Sequence, residues 1–328
     1  MAPRVELHLH LDCSLSYDAV SRLDPSITRA EYDAEFVAPA QCGSLAEFLT
    51  RAPRGFQLMQ TRDALRLVTE DVFAQLAADQ VIYAELRFAP LLHLAQGLTP
   101  QAVVEAVDRA TEDSICATGI EARLILCTLR HFAPEQSLAT AELVEAFRGS
   151  RVAALDIAGD EAGFSLDAHV AAFRYAAERG LARTAHAGEA CGPESVWETL
   201  RTLAPSRIGH GVRSAEDPAL VGHLQRENIH LEICPSSNVQ TCAVPAYAAH
   251  PVDRLYRAGV SLGISTDTRT ITDVTLEQEY ARLREHFGWG GDELMACNRA
   301  AIAAAFVEEP VRERLMEKLV SQRLAVSG

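Results

Sequence analysis

His8 and His10 stand two apart in Val5-Glu6-Leu7-His8-Leu9-His10-Leu11-Asp12, where apolar and polar residues alternate. Successive side chains of a strand point to opposite faces, so the two imidazoles share a face. Two imidazoles on one rigid strand make half of a zinc site; two hydrogen-bonded core histidines are the plainer alternative. Three further groups tip the balance. Thr184-Ala185-His186-Ala187-Gly188-Glu189, Gly209-His210-Gly211 and Ser265-Thr266-Asp267 each end another apolar run. One His at a strand end is usually structural. His8, His10, His186 and Asp267, gathered from separate strand ends, form a nitrogen and oxygen set for a borderline divalent ion, with zinc as first choice. An ion held this way lowers the pKa of coordinated water to about 7. Glu189, just beyond His186, is the natural general acid, because a carboxyl in a partly closed pocket keeps its proton through desolvation. A surface ion pair is the alternative for Glu189, and its Gly-flanked place disfavours it. His210, between two glycines, is placed to polarise an attacking water; its alternative is a loop-packing role.

Those residues need a frame that brings strand ends together. Short apolar runs recur at Val5–Leu11, Val81–Phe88, Ala122–Thr128, Val152–Ile157, Ala182–His186, Arg207–Gly209, Ile229–Ile233 and Val260–Ile264. Between them lie helical patterns such as Pro100–Ala117, Glu135–Phe147, Asp167–Arg179, Glu194–Leu203 and Pro218–Glu227. Near-continuous apolar strands alternating with helices read as a parallel sheet covered on both faces. Eight such units predict an α/β fold, a TIM-type (β/α)8 barrel, whose strand ends converge on one mouth. An open doubly wound sheet is the structural alternative, but it calls for a Gly-rich phosphate turn that is absent. Residues 16–69 form a helical excursion after strand one, with helical pieces at Ser44–Leu49 and Ala64–Ala77, in the place where barrels cover their active sites. Asp292–Leu324 reads as a C-terminal helical tail. No linker or repeat interrupts residues 1–328, which read as one domain.

The 328 residues carry a net charge of −15, which argues against nucleic acid or an anionic membrane as partner. Eight dispersed cysteines, none in a Cys-x-x-Cys pair, read as reduced thiols of a cytoplasmic protein. Neither a signal sequence nor a membrane-spanning apolar stretch is legible. Oligomeric state is not written in such patterns.

The motifs taken together resemble the adenosine deaminase family. They are His8-Leu9-His10-Leu11-Asp12, Leu155-Asp156-Ile157-Ala158-Gly159-Asp160-Glu161, His186-Ala187-Gly188-Glu189, Arg207-Ile208-Gly209-His210-Gly211, Glu232-Ile233-Cys234-Pro235-Ser236-Ser237-Asn238 and Ser265-Thr266-Asp267. They occur in family order along nearly the whole chain. The resemblance implies one zinc ion on His8, His10, His186 and Asp267, with Glu189 protonating purine N1. It implies that His210 orients and helps deprotonate the water, and that Asp267 belongs to the catalytic set. On the substrate side it implies His10, Asp12 at a ribose hydroxyl, the Gly159 amide at N3, and Phe48 and Leu49 with Leu45 as an apolar gate. The reaction implied is hydrolytic deamination of a small purine nucleoside, adenosine and 2′-deoxyadenosine, to inosine-type product and ammonia.

Three positions depart from the pattern. Thr268 stands where the family commonly has a second Asp that bonds N7, so either Thr268 itself, a water or Arg269 must serve there. Cys13 follows Asp12 where Gly is usual, and Ala52 stands where an aromatic is frequent. Two other activities therefore stay open: deamination of another 6-aminopurine such as adenine, and a zinc amide or ester hydrolase on the same barrel. Arg87, Arg130, His131 and Glu232 are as well explained by ion pairs inside the barrel as by contact with a ligand.

Overall fold

A computed structural model describes residues 3–326. Eight parallel strands follow one another around a barrel in sequence order. They are β1 (Arg4–His10), β2 (Val81–Phe88), β3 (Glu121–Leu129), β4 (Val152–Ala158), β5 (Ala182–Ala187), β6 (Arg207–His210), β7 (His230–Ile233) and β8 (Leu262–Ile264). The expected strand runs correspond to all eight, although β8 starts two residues later than Val260. A bridge between Leu9 and Asp267 draws the two ends of the sheet together. Across it His10 N–H donates to Asp267 O at 2.7 Å, and Asp267 N–H donates to His8 O at 3.0 Å.

Alternation along each strand sorts the side chains. Val5, Leu7 and Leu9 are buried among apolar partners, as are Leu124 and Leu126 of β3. Glu6, His8, Glu85, Arg87, Asp156, His186, Arg207 and Glu232 are all buried too; Glu6 pairs with Arg269, and the others bond to one another. Burial of so many charges is tolerable only where each is paired. The helices expected between strands are present as Pro100–Thr118, Pro134–Ala146, Val170–Glu178, Pro193–Leu203 and Pro218–Arg226. Four of them carry proline in the first turn, where no amide hydrogen is needed.

The excursion after β1 holds five helices, Tyr17–Leu23, Arg29–Glu35, Leu45–Leu49, Ala52–Leu58 and Arg62–Ala78. Two of them, Leu45–Leu49 and Ala52–Leu58, cover the barrel mouth. They are rooted by Ala38, Cys42, Leu45 and Phe48 packed on Ile271. The expected tail is two helices, Gly291–Ala304 and Glu309–Val326. Met295, Ile302, Leu315 and Leu319 pack against Val5, Leu7, Ile82 and Tyr83, so these helices seal the outside of β1 and β2. No helix among the described residues is long and apolar enough to cross a membrane.

Candidate metal centre and active site

At the mouth of the barrel the ends of β1, β5, β6 and β8 deliver five groups to one point. His8, His186, His210 and Asp267 each offer an atom within 4.8 Å of all the others. His10 joins them, with Nε2 3.1 Å from His186 Nε2 and 3.4 Å from Asp267 Oδ1. His8 Nε2 lies 3.3 Å from the same oxygen. It is a buried nitrogen with no well-aligned hydrogen-bond partner. Donor atoms on a tetrahedral ion at about 2.0–2.1 Å are separated by roughly 3.3 Å, so this spacing is that of ligands round a common centre.

The far side of each ring decides which nitrogens are free. His8 Nδ1 is 2.8 Å from Glu232 Oε2, and His186 Nδ1 is 3.2 Å from Asp156 Oδ1. Each ring thus donates Nδ1–H to a carboxylate and turns the Nε2 lone pair to the centre, the usual orientation of a metal-ligating imidazole. Arg87 ties the two carboxylates together, donating to Asp156 Oδ2 at 2.9 Å and to Glu232 Oε2 at 2.6 Å. Arg207 donates to the other oxygen, Glu232 Oε1, at 2.7 Å. The ion-pair reading of Arg87 and Glu232 is therefore right, and those pairs also aim two imidazoles.

His210 is held differently. Val252 N–H donates to His250 Nδ1 at 3.1 Å, which leaves the His250 proton on Nε2, facing Asn238 Oδ1 at 3.3 Å. The Asn238 amide then donates from Nδ2 to His210 Nδ1 at 3.1 Å. Burial, reinforced by His8 and His186, holds His210 neutral, with its pKa well below the ordinary value. A neutral ring that accepts at Nδ1 carries its proton on Nε2. That nitrogen faces Glu189 Oε2 at 3.6 Å. His210 thus presents a donor to the centre where His8 and His186 present lone pairs. This is the reason to leave it out of the ligand set although its atoms lie close enough.

Two site residues pay in backbone conformation. His210 has φ +60° and Asp267 φ +65°, a region that costs a side-chain-bearing residue on the order of 1–3 kcal/mol. Gly209 between the rings is obligatory in another sense: a Cβ there would lie 2.9 Å from His8 Cε1.

A cavity of about 430 Å³ opens directly over the cluster. Its wall includes His10, Asp12, Leu45, Phe48, Leu49, Gly159, Glu189, His210, Asp267 and Thr268, so the expected site residues line one space. His8 lies beneath it. His131 borders the cavity, whereas Arg130 is spent on backbone, donating to His186 O at 3.0 Å and Phe164 O at 3.2 Å. Arg269 does not reach the cavity. It donates to Glu6 Oε2 at 2.7 Å and pairs with Asp79 Oδ2 at 2.7 Å, which removes it as a stand-in for the missing second Asp. Thr268 Oγ1 is 2.8 Å from Thr272 Oγ1 and stays at the wall. Cys13 also borders the cavity, and burial, then Asp12 and Asp267, push its thiol well up, so it offers neutral sulfur. Burial first, then Asp267 and Glu161, holds the Glu189 carboxyl well above its ordinary range. Asp267 is held well below, because His8 and the surrounding imidazoles outweigh burial.

Residues 3–322 match the family profile described as adenosine deaminase. The chain belongs to the adenosine deaminase family. An adenosine deaminase of Mycobacterium marinum is 36% identical, covering 99% of this chain and 96% of its own. An adenine deaminase of Rhizobium etli is also 36% identical, covering 96% and 98%. Among solved structures, the arabidopsis N6-mAMP deaminase superposes with a TM-score of 0.87 at 26% identity, covering 98% of this chain and 98% of that one. Family membership makes the chain a hydrolytic deaminase, and the relatives' names span a nucleoside, a base and a nucleotide.

Several contributors were not legible as such in the sequence. Asn238 was part of a motif with no role attached, and His250 lies far from any motif. Phe56 lines the cavity one helical turn beyond Ala52, and so supplies the aromatic that Ala52 does not. An Ala and a Phe four apart in Ala52-Pro53-Arg54-Gly55-Phe56 were the available signal, obscured by Pro and Gly in the same turn.

Proposed function

We propose that this family member deaminates an uncharged 6-aminopurine nucleoside, adenosine and 2′-deoxyadenosine, with one zinc ion on His8, His10, His186 and Asp267. The observation that carries the substrate class is the cavity wall. Among the described residues it contains Asp12, Asp160, Glu189 and Asp267, and neither Lys nor Arg. A nucleotide phosphate would meet acids and no cation, a desolvation cost with nothing to offset it. A ribose, in contrast, finds a carboxylate. Asp12 accepts Ala89 N–H at 3.1 Å through Oδ2 and stands at the wall, where a hydroxyl can donate to it. Its ionised form is favoured by His93 and the Ala89 amide against the opposing effect of burial.

When bound, the ion acts as a Lewis acid that makes water nucleophilic near neutral pH. The chain's own groups do the rest. Glu189, protonated by its surroundings, gives its proton to purine N1, which draws electron density from C6. His210 donates from Nε2 to the oxygen that adds at C6, which favours the orienting part of its expected role. Gly159 N–H meets N3, the Thr268 hydroxyl meets N7, and Leu45, Phe48, Leu49 and Phe56 exclude solvent water. Addition of water at C6 and departure of the amino group leave the 6-oxopurine: one water proton leaves with the amino nitrogen as ammonia, and the other returns to the Glu189 carboxylate. Free adenine is the second reading, supported by the name of the equally similar Rhizobium etli relative.

The test measures ammonia release from adenosine, 2′-deoxyadenosine, adenine and AMP, alongside ester cleavage and metal content. Adenosine turnover far above AMP and adenine, with about one zinc per chain that chelation removes and re-addition restores, is expected. AMP or adenine turned over as well as adenosine overturns the substrate class, and full activity without metal overturns the site.

A further inference from the structure

Glu161 is not part of the cavity wall, yet it is among the most heavily bonded carboxylates of the chain. It sits beyond β4 and is almost fully buried. One oxygen accepts Gly188 N–H at 2.7 Å and the Ser195 hydroxyl at 2.6 Å. The other accepts the N–H groups of Glu189 at 3.0 Å, Ala190 at 2.6 Å and Cys191 at 2.9 Å. Four consecutive amides converge on one side chain. They belong to the turn between β5 and helix Pro193–Leu203, which carries Glu189 and offers those amides no strand or helix partner.

The carbonyls of the same segment are held from other directions. Arg130 donates to His186 O at 3.0 Å, Arg213 Nη1 donates to Ala190 O at 3.2 Å, and Arg213 N–H donates to Gly188 O at 3.1 Å. Gly188 has φ +68°, and a Cβ there would lie 2.6 Å from Val196 Cγ2, so the turn has little freedom. The Glu189 carboxyl, by contrast, approaches His210 only to 3.6 Å. Its place in the cavity is therefore set mainly by its backbone, and its backbone is set by Glu161.

We infer that Glu161 is a positioning residue for Glu189: it locks the turn so that the Glu189 carboxyl points at the ring nitrogen next to the reacting carbon. This rests on the reading of Glu189 as the proton donor. A displacement of about 1 Å at a reacting group costs roughly 10²-fold in rate, so the link is measurable. A residue that only stabilised the fold would lower stability or affinity without changing which ring atom the enzyme senses.

The experiment compares wild type, Glu161→Ala, Glu161→Gln, Glu189→Gln and the double Glu161→Ala/Glu189→Gln. It reads metal content, melting, kcat and KM for adenosine, and inhibition by 1-deazaadenosine, which lacks the N1 that Glu189 would meet. Glu161→Ala is expected to keep its metal, to lose kcat by about 10²-fold with KM little changed, and to lose most of the preference for adenosine over its 1-deaza analogue. Glu161→Gln, which keeps one accepting oxygen for three amides, is expected to fall between. The double variant is expected to be no slower than Glu189→Gln alone. A Glu161→Ala enzyme with normal kcat beside a crippled Glu189→Gln overturns this inference alone, as does an unchanged N1 preference or a full multiplicative loss in the double variant. Normal turnover by Glu189→Gln overturns the acid assignment and this inference with it. Should Glu161→Ala not fold, Glu161→Gln carries the same comparisons, and an unmoved N1 preference there is the overturning result.

Discussion

Glu189 and Asp267 are buried carboxylates bordering one cavity, and their surroundings push them apart: Glu189 holds its proton and Asp267 gives its up. Separation of two acids into a proton donor and an anionic ligand is how one site runs both kinds of chemistry at neutral pH. Glu189→Gln keeps the shape and removes the transferable proton. Its kcat is expected to fall by about 10²–10⁴-fold with metal content intact; turnover close to wild type assigns the acid elsewhere. Thr268 poses a smaller question. Its hydroxyl lies at the wall beside Thr272, while Arg269 is committed to Glu6 and Asp79. Any contact with N7 then comes from a neutral hydroxyl, worth on the order of 1 kcal/mol, so 7-deazaadenosine should lose several-fold in kcat/KM relative to adenosine. Equal kcat/KM for the two would show that Thr268 does not read N7.

Among the elements, the two short helices over the mouth depend on one residue without a side chain. Gly55 of helix Ala52–Leu58 faces the turn after β1, where a Cβ would come within 2.6 Å of Asp12 O. Gly to Ala inside a helix ordinarily gains about 0.5–1 kcal/mol. Here the new atom meets backbone, which cannot swing aside, so steric displacement wins. Gly55→Ala should shift the helix, move Phe56 and disturb Asp12, raising KM for adenosine several-fold with less effect on kcat. An unchanged KM would show that the helix yields freely. This helix also marks where the sequence was hard to read. The strands announced themselves because their apolar runs are bounded by turn residues, and His8, His10, His186, Glu189, His210 and Asp267 were legible because strand ends converge in such a barrel. Ala52-Pro53-Arg54-Gly55-Phe56-Gln57-Leu58 carries breakers, and tertiary packing makes it helical. The Asn238 and His250 contacts were equally hidden: they join distant segments through polar atoms, and hydrophobic periodicity carries no trace of such pairings.

Across the whole molecule the barrel interior is a charged lattice beneath the site, with Arg87 at its centre. Arg87 is buried between Asp156 and Glu232, and these two carboxylates orient His186 and His8. Removing one partner of a buried ion pair costs about 3–5 kcal/mol, because the remaining charge stays desolvated. Arg87→Met fills the same space without the charge. It should therefore lower stability by about that amount, and weaken metal binding by roughly 10–100-fold through loss of ligand orientation. The pH dependence follows with a definite sign. Glu232 and Asp156 are held well below the ordinary carboxylate range; burial opposes this and is outweighed by Arg87, Arg207 and His8 at Glu232, and by His186 and Arg87 at Asp156. A depressed folded-state pKa gives stability that is fully present above the unfolded value, near 4, and is lost as pH falls toward the folded one. Without Arg87 both folded values rise, so that contribution shrinks and acid unfolding should begin at higher pH than in wild type. Arg29→Met is the control, since Arg29 pairs with Asp33 at an exposed surface where such contacts contribute little. Circular dichroism across an acid titration compares the three proteins. Coincident acid transitions for wild type and Arg87→Met would mean that the lattice is held by its other members, and that Arg87 neither secures the two carboxylates nor, through them, the imidazoles.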